Sequence, residues 1–310
     1  MSSSSPRSIV GYLLALRAAL AGADPALIQD ALYDAEEHLR AEAAANPEMP
    51  EAELLEHITR TYGAPDEVAA AYRDSEAKVA AALQPPIFRR AQSHSVLSRF
   101  FSVYSDPRAY VSIFFMVLSL ATGCLYFTFA VTGLALSLGL SILIIGLPVF
   151  LAFIGMTRVM SLAEGRLLEA VSGERMPRRP LHPGASDGLV DRILTALRDG
   201  RTWTTLLYFV IMLPLGTIYF TAAIIGLSLG VSFFTVPLVG ISQRLDWWLP
   251  WDRADVGIIQ FTPAWLDTPV GWVFDVIFGV VVLTTLLHMA RAVVSVHART
   301  AKTLLVLEGR

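Results

Sequence analysis

The residues with the strongest claim to chemistry stand in one short run: Asp34, Glu36, Glu37 and His38. The spacing from Asp34 to His38 puts both on one helical face, as a metal site requires. No second His or Cys is at hand to complete a ligand set, apart from His57 on a different helix. An acidic run on a helix is ordinarily solvated, so these four residues read as a partner-binding or packing surface rather than as metal ligands. The next candidate is Asp275, the one acid inside an apolar span, about 9 Å from its outer end at 1.5 Å per residue. Membrane-embedded acids are costly and tend to face a cavity or a partner. Two readings stay open for it, a sensing site or an acid that reaches the interface beside Trp272. His288 and His297 read as interfacial histidines, and Cys124, the only cysteine, as a small packing residue.

Nothing else in the chain offers a reaction. No nucleotide-binding glycine loop, kinase box, nucleophile elbow or zinc signature occurs. A catalytic role therefore has no residue to rest on, and neither cofactor nor metal is expected.

The elements that position these residues separate by charge. Met1 to Ala82 holds fourteen acids and six bases, whereas the remainder holds thirteen acids and eighteen bases. An acidic, water-soluble head thus precedes a membrane body flanked by bases, with no nucleic-acid signature in either. The first residues lack the apolar core of a secretory signal, which predicts a cytosolic N-terminus.

Within the head, Ile9, Tyr12, Leu13, Leu16 and Leu20 recur at helical spacing, and Gly22 ends that helix. Asp24-Pro25 caps and opens a second helix with a face of Ile28, Ala31, Leu32, Ala35 and Leu39. A third carries Leu54, Leu55, Ile58 and Tyr62 and stops at Gly63, and a fourth presents Val68, Tyr72 and Val79. Residues 1–84 therefore read as four short helices around a thin core, joined to the membrane body by a linker over 85–108.

Three patterns here carry a resemblance: Tyr12-Leu13-x-x-Leu16, Asp30-x-x-Tyr33-Asp34-x-Glu36-Glu37-His38, and Tyr62-Gly63-x-Pro65-x-x-Val68-Ala69-x-x-Tyr72. Together they resemble the HAAS-type α-helical signalling domain over about residues 8 to 80. The resemblance implies a bacterial membrane protein that works with a cytosolic partner, a PadR-type transcriptional regulator or a signalling kinase.

The body from 109 to 310 is dominated by two uncharged runs, Ala109 to Thr157 and Thr202 to Gln243, that repeat one another. Gly123-x-x-Tyr126-Phe127-Thr128-x-Ala130-x-x-Gly133-Leu134 returns as Gly216-x-x-Tyr219-Phe220-Thr221-x-Ala223-x-x-Gly226-Leu227, and Asp106-x-Arg108-x-Tyr110 returns as Asp199-x-Arg201-x-Trp203. After the spans, Met156-Thr157-Arg158 matches Met289-Ala290-Arg291, and Gly173-Glu174-Arg175 is echoed near the C-terminus. Gly123, Gly133, Gly216 and Gly226 are expected to let spans approach closely.

Hydropathy alone permits five spans. Bases gather near the cytoplasmic ends of spans, however, and only an even number keeps the head, the middle loop and the tail all inside. Four spans are therefore predicted, at about 109–132, 135–157, 204–227 and 269–291, with a tight turn over Thr132 to Ala135. Residues 228–268 become an outer insertion; its part 228–243 is an extension, a re-entrant piece or an interfacial stretch, with Pro237 favouring a break. Trp247, Trp248 and Trp251 suit the membrane interface and join Asp275 as candidate sensing residues.

Trp203-x-x-x-Leu207-Tyr208, Leu213-Pro214-Leu215-Gly216, Pro237, Leu266-Asp267-Thr268 and the Leu304-Leu305 tail resemble the bacterial Putative sensor domain, a four-span module, over about residues 95 to 310. The expectation is an all-α, non-enzymatic protein of the bacterial inner membrane with both termini cytoplasmic. Its duplicated body would meet membrane lipids and sense, its head would bind a regulator, and a homo-oligomer is left open. The alternative is a small permease or an accessory subunit of a transport complex, because repeats are common there.

Overall fold

Capping chemistry sets the head's helices. In the computed structural model, which describes residues 6, 8–83, 96–142, 146–177, 189–245 and 268–305, Ser8 accepts from the Gly11 amide (3.0 Å) and starts α1, Ile9–Ala19. Asp24 accepts from the Ala26 amide (2.8 Å) ahead of Pro25, opening α2, Pro25–Ala45. Gly22 (φ 81°) turns the chain between them. After α3, Glu51–Thr61, Gly63 takes φ 112° and its carbonyl accepts from the Tyr12 hydroxyl (2.8 Å), so the turn into α4, Pro65–Leu83, is tied to α1. The expected faces converge on one core: Tyr12, Leu16 and Leu20 meet Ala31, Ala35 and Leu39, with Leu55, Ile58 and Val68 closing it. Ile28 and Leu32 lie at its rim. The side chain of Val79 lies outside the described residues.

All regular structure among the described residues is helical. A short helix α5, Val96–Phe101, and a 3₁₀ turn, Ser102–Ser105, lead to α6, Pro107–Ser141. Then come α7, Gly146–Ser172; α8, Leu189–Arg198; α9, Gly200–Arg244; and α10, Pro269–Leu305. Four of these, α6, α7, α9 and α10, are long and apolar enough to cross a membrane. At 1.5 Å per residue each exceeds the ~30 Å hydrocarbon layer, so their ends extend beyond it.

Two sequence expectations need correction. The turn predicted over Thr132 to Ala135 is helix, and α6 runs on to Ser141. Gly133 is there for packing, since a Cβ on it would run into the Phe153 ring. The break expected at Pro237 is absent as well, because α9 is continuous through both Pro214 and Pro237 to Arg244. Proline deletes one helical hydrogen bond and crowds the preceding turn, yet transmembrane helices tolerate it where neighbours and local adjustments satisfy the freed carbonyl. Residues 228–243 are thus a helical continuation of the third span. Trp247, Trp248 and Trp251 lie outside the described residues.

The fold divides into two compact units. One comprises 1–91, 132–208 and 299–310, the other 92–131 and 209–298. Each draws on both sequence repeats, and α6, α9 and α10 each contribute residues to both.

Candidate functional site

The acidic run on α2 separates into two roles. Asp34 accepts from the Tyr72 hydroxyl (2.9 Å), and the His38 ring stacks on Tyr62 with centroids 4.5 Å apart. Burial pushes the Tyr62 and Tyr72 phenols above their usual range, and the hydrogen bond to Asp34 raises Tyr72 further. These hydroxyls stay protonated donors, so Asp34 and His38 are fixtures of the head's own scaffold. Glu36 is bound to Arg40 one turn on (2.6 Å), and Glu37 is exposed. Glu36 also rims a groove of about 230 Å³ between α1 and α2, whose walls include Leu13, Leu32, Tyr33 and the exposed Val10 and Leu14.

A constellation that the sequence reading missed lies at the start of α2. Asp30, 5% exposed, accepts from Arg175 Nη2 (3.1 Å), and Arg175 also pairs with Glu76. Gln29, equally buried, accepts from Arg201 Nη1 (2.9 Å), and Asp24 takes Lys302 Nζ at 2.6 Å. One helix end is thereby fastened to the ends of three spans: Arg175 follows α7, Arg201 opens α9 and Lys302 closes α10. Arg175 is itself held. Gly173 (φ 75°) turns the chain after α7, its amide donates to the Glu169 carbonyl (2.9 Å), and Met176 packs against Gly165. One signal for this face was present in the sequence. Ala26 and Leu27 are buried without belonging to the head's core, so apolar residues occupy more than one side of α2 in its first turn.

The duplication is also built into the contacts. Asp199 caps α9 through the Arg201 amide (3.0 Å) and pairs with Arg158 (3.7 Å); Asp106 caps α6 through the Arg108 amide (3.0 Å) and pairs with Arg291 (3.1 Å). Trp203 Nε1 donates to the Leu197 carbonyl (2.8 Å), as the Tyr110 hydroxyl donates to the Tyr104 carbonyl (3.1 Å). Every residue in one set has its counterpart in the other. The ion pairs join the start of one repeat to the end of the other, which the sequence matches could not disclose.

The four glycines follow the same rule. Gly123 abuts the backbone at Met212 and Leu213, and its counterpart Gly216 abuts the backbone at Ser119 and Leu120. Gly133 faces Phe153, and its counterpart Gly226 faces Leu286. Cys124, in contrast, is exposed and does not pack.

Two further buried polar positions differ between repeats. Glu164 on α7 is fully buried and accepts from the Tyr208 hydroxyl (2.8 Å). His297, 2% exposed, sits at 5.4 Å from the Phe115 ring and beside Tyr219. The interfacial reading of His297 is therefore replaced by a packed one. His288 Nε2 donates to the Phe100 carbonyl (3.0 Å). Asp275, 3% exposed, shares its buried face with Gly271 and Gly279, one turn to either side. Its carboxylate is enclosed by protein, which weakens the reading of an acid reaching out to the interface. Beside it, Arg244 lies over the Trp272 ring at 4.9 Å.

Comparison with known families agrees with this division. The family described as Putative sensor matches residues 115–305, and HAAS matches residues 11–71. No curated protein and no solved structure matches the chain. Four apolar helices with these two family matches fit a membrane protein in a sensing or signalling role. The chain belongs to the Putative sensor family and carries a HAAS domain ahead of its membrane spans.

Proposed function

We propose that the protein is a non-enzymatic signalling device of the bacterial inner membrane, in which the packing of the spans governs a cytosolic head that binds a regulator. The observation that carries this reading is the fastening of α2 to the ends of three spans through Arg175, Arg201 and Lys302. A shift of any of these spans changes the geometry of at least one bond to the head. Interfaces of this kind turn small displacements into discrete states rather than continuous deformation. The exposed Glu37 and the half-buried Glu36, with the apolar groove that Glu36 rims, supply a surface for a cytosolic regulator of PadR type. Asp275 and the tryptophan-rich stretch 246–251 belong, in this reading, to the sensing side, and both chain termini to the cytoplasm.

The test is co-purification of a DNA-binding regulator with the full-length protein and with Arg175→Glu, from cells that make the chain naturally. Retention by either form, lost on Glu36→Arg/Glu37→Arg, is the expected result. If neither form retains a regulator while both remain folded, the reading fails.

A further inference from the structure

The repeated contacts expose one position where the two halves differ. Arg201 is bound to the head, but its counterpart Arg108 is exposed and makes no side-chain hydrogen bond or ion pair among the described residues. Arg99 on α5 is in the same state. Asp106, two residues before Arg108, is occupied by Arg291 and by the cap of α6, so the two guanidinium groups have no carboxylate partner among the described residues. The same stretch carries Leu97, 68% exposed, with the exposed Phe101 and Tyr110. Large apolar side chains and unpaired arginines together are poorly suited to water alone.

The element that presents them is rigidly placed. Val103 is fully buried with Ala109 and Leu287. The Tyr104 hydroxyl lies 3.0 Å from that of Thr284, and His288 holds the Phe100 carbonyl. Thr284 and His288 belong to the uncharged stretch of α10 before Arg291. The segment 96–105 is thus strapped against the uncharged stretch of α10 that precedes Arg291. Aromatic and basic residues beside such a stretch suit lipid, with the ring on the glycerol level and the cation on the phosphate.

We infer that α5, the 3₁₀ turn and the foot of α6 form a binding site for an anionic phospholipid, with Arg99 and Arg108 holding the headgroup phosphate and Leu97, Phe101 and Tyr110 bedding the acyl chains. A zwitterionic lipid offers the same phosphate but no net charge, so the site should select for headgroup charge.

The full chain is purified and delipidated, then titrated with phosphatidylglycerol or phosphatidylcholine and read by native mass spectrometry. One phosphatidylglycerol should be retained in preference to phosphatidylcholine. Arg99→Gln/Arg108→Gln should weaken that binding by about 30-fold, at roughly a factor of five per base near an anionic surface. Lysine at both positions should preserve most of it, and helicity should be unchanged in every variant. Arg60→Gln, which removes a base of the head engaged by Glu56, should leave lipid selectivity intact. The inference is overturned if the glutamine variant retains phosphatidylglycerol like the parent, if both lipids are held equally, or if the substitutions change only the oligomeric state.

Discussion

The bond between Asp30 and Arg175 gives the sharpest handle on how the head is held. Both side chains are largely enclosed, at 7% and 15% exposure, and Arg175 serves Glu76 as well. Removing one partner of a fully buried pair costs ~3–5 kcal/mol, most of it from the charge left behind. Arg175 keeps some contact with solvent, so Arg175→Ala should destabilise docking by about 2–3 kcal/mol, roughly a 30- to 150-fold change in the docked-to-undocked ratio. Asp30→Asn retains an acceptor and should cost only about 1 kcal/mol. The assay uses two spin labels, one at Glu37→Cys and one at Leu194→Cys, both exposed, in a Cys124→Ser background. A single short distance should broaden or lengthen in Arg175→Ala. Raising salt from 0.1 to 1 M shortens the screening length from ~10 to ~3 Å, which should loosen the more exposed Asp24–Lys302 pair and add to the effect of the substitution. Because Asp30 and Arg175 touch, their effects should couple by about 1–2 kcal/mol in a double-mutant cycle. An unchanged distance in Arg175→Ala at both salts, or simple additivity of the two substitutions, would refute the reasoning.

Gly216→Ala should already disturb span assembly, because its Cβ meets the Ser119 carbonyl and backbone cannot move aside; Gly226→Ala meets only the flexible Leu286 side chain and should cost about 1 kcal/mol. Thermal unfolding in detergent of the two variants, compared with the parent, ranks them, and equal midpoints would count against close packing at Gly216. The head should lose stability in alkali: burial, with smaller contributions from Tyr62, Glu67 and Asp66, pushes the Tyr12 phenol up to about 12 from 10.0. A raised phenol pKa means that the native state keeps a proton the unfolded chain has released, so the stabilisation is complete below pH 10 and lost as pH rises towards 12, by up to about 3 kcal/mol. Urea unfolding from pH 9 to 12 reads this slope, and Tyr12→Phe should reduce it, leaving the part that the raised Tyr62 and Tyr72 phenols contribute.

Much of this architecture was legible because it depends on local chemistry. Ser8, Asp24-Pro25 and Gly63 mark helix ends by rules that need no tertiary context, and the spacing of Tyr12, Leu16, Ala35, Leu39 and Ile58 fixes which faces meet. Charge-free length identified the spans. Their ends were less legible, since a glycine or a proline that marks a break in a water-soluble helix is tolerated within a long apolar one, as at Gly133 and Pro237. The docking site was the hardest to see. Arg175, Arg201 and Lys302 read in sequence as three of many bases near span ends, and only folding brings them to Gln29, Asp30 and Asp24. For Asp34 and His38 the spacing left a partner-binding or a packing role open, and their contacts with Tyr72 and Tyr62 are of the packing kind.

Duplication normally yields two equivalent ends, and the capping aspartates, the crossed ion pairs and the glycine contacts all keep that equivalence. A symmetric body could not tell one end from the other. The head removes the degeneracy, because Arg201 engages Gln29 whereas Arg108 remains open. The same division recurs just past Arg158 and Arg291, where Glu164 with Tyr208 occupies in one repeat the place of His297 with Phe115 in the other. At these corresponding buried positions one repeat carries an acid and the other an imidazole. A duplicated hairpin whose halves differ at these positions can convert a uniform change in the membrane into a difference between its ends, and the head is attached to one of them.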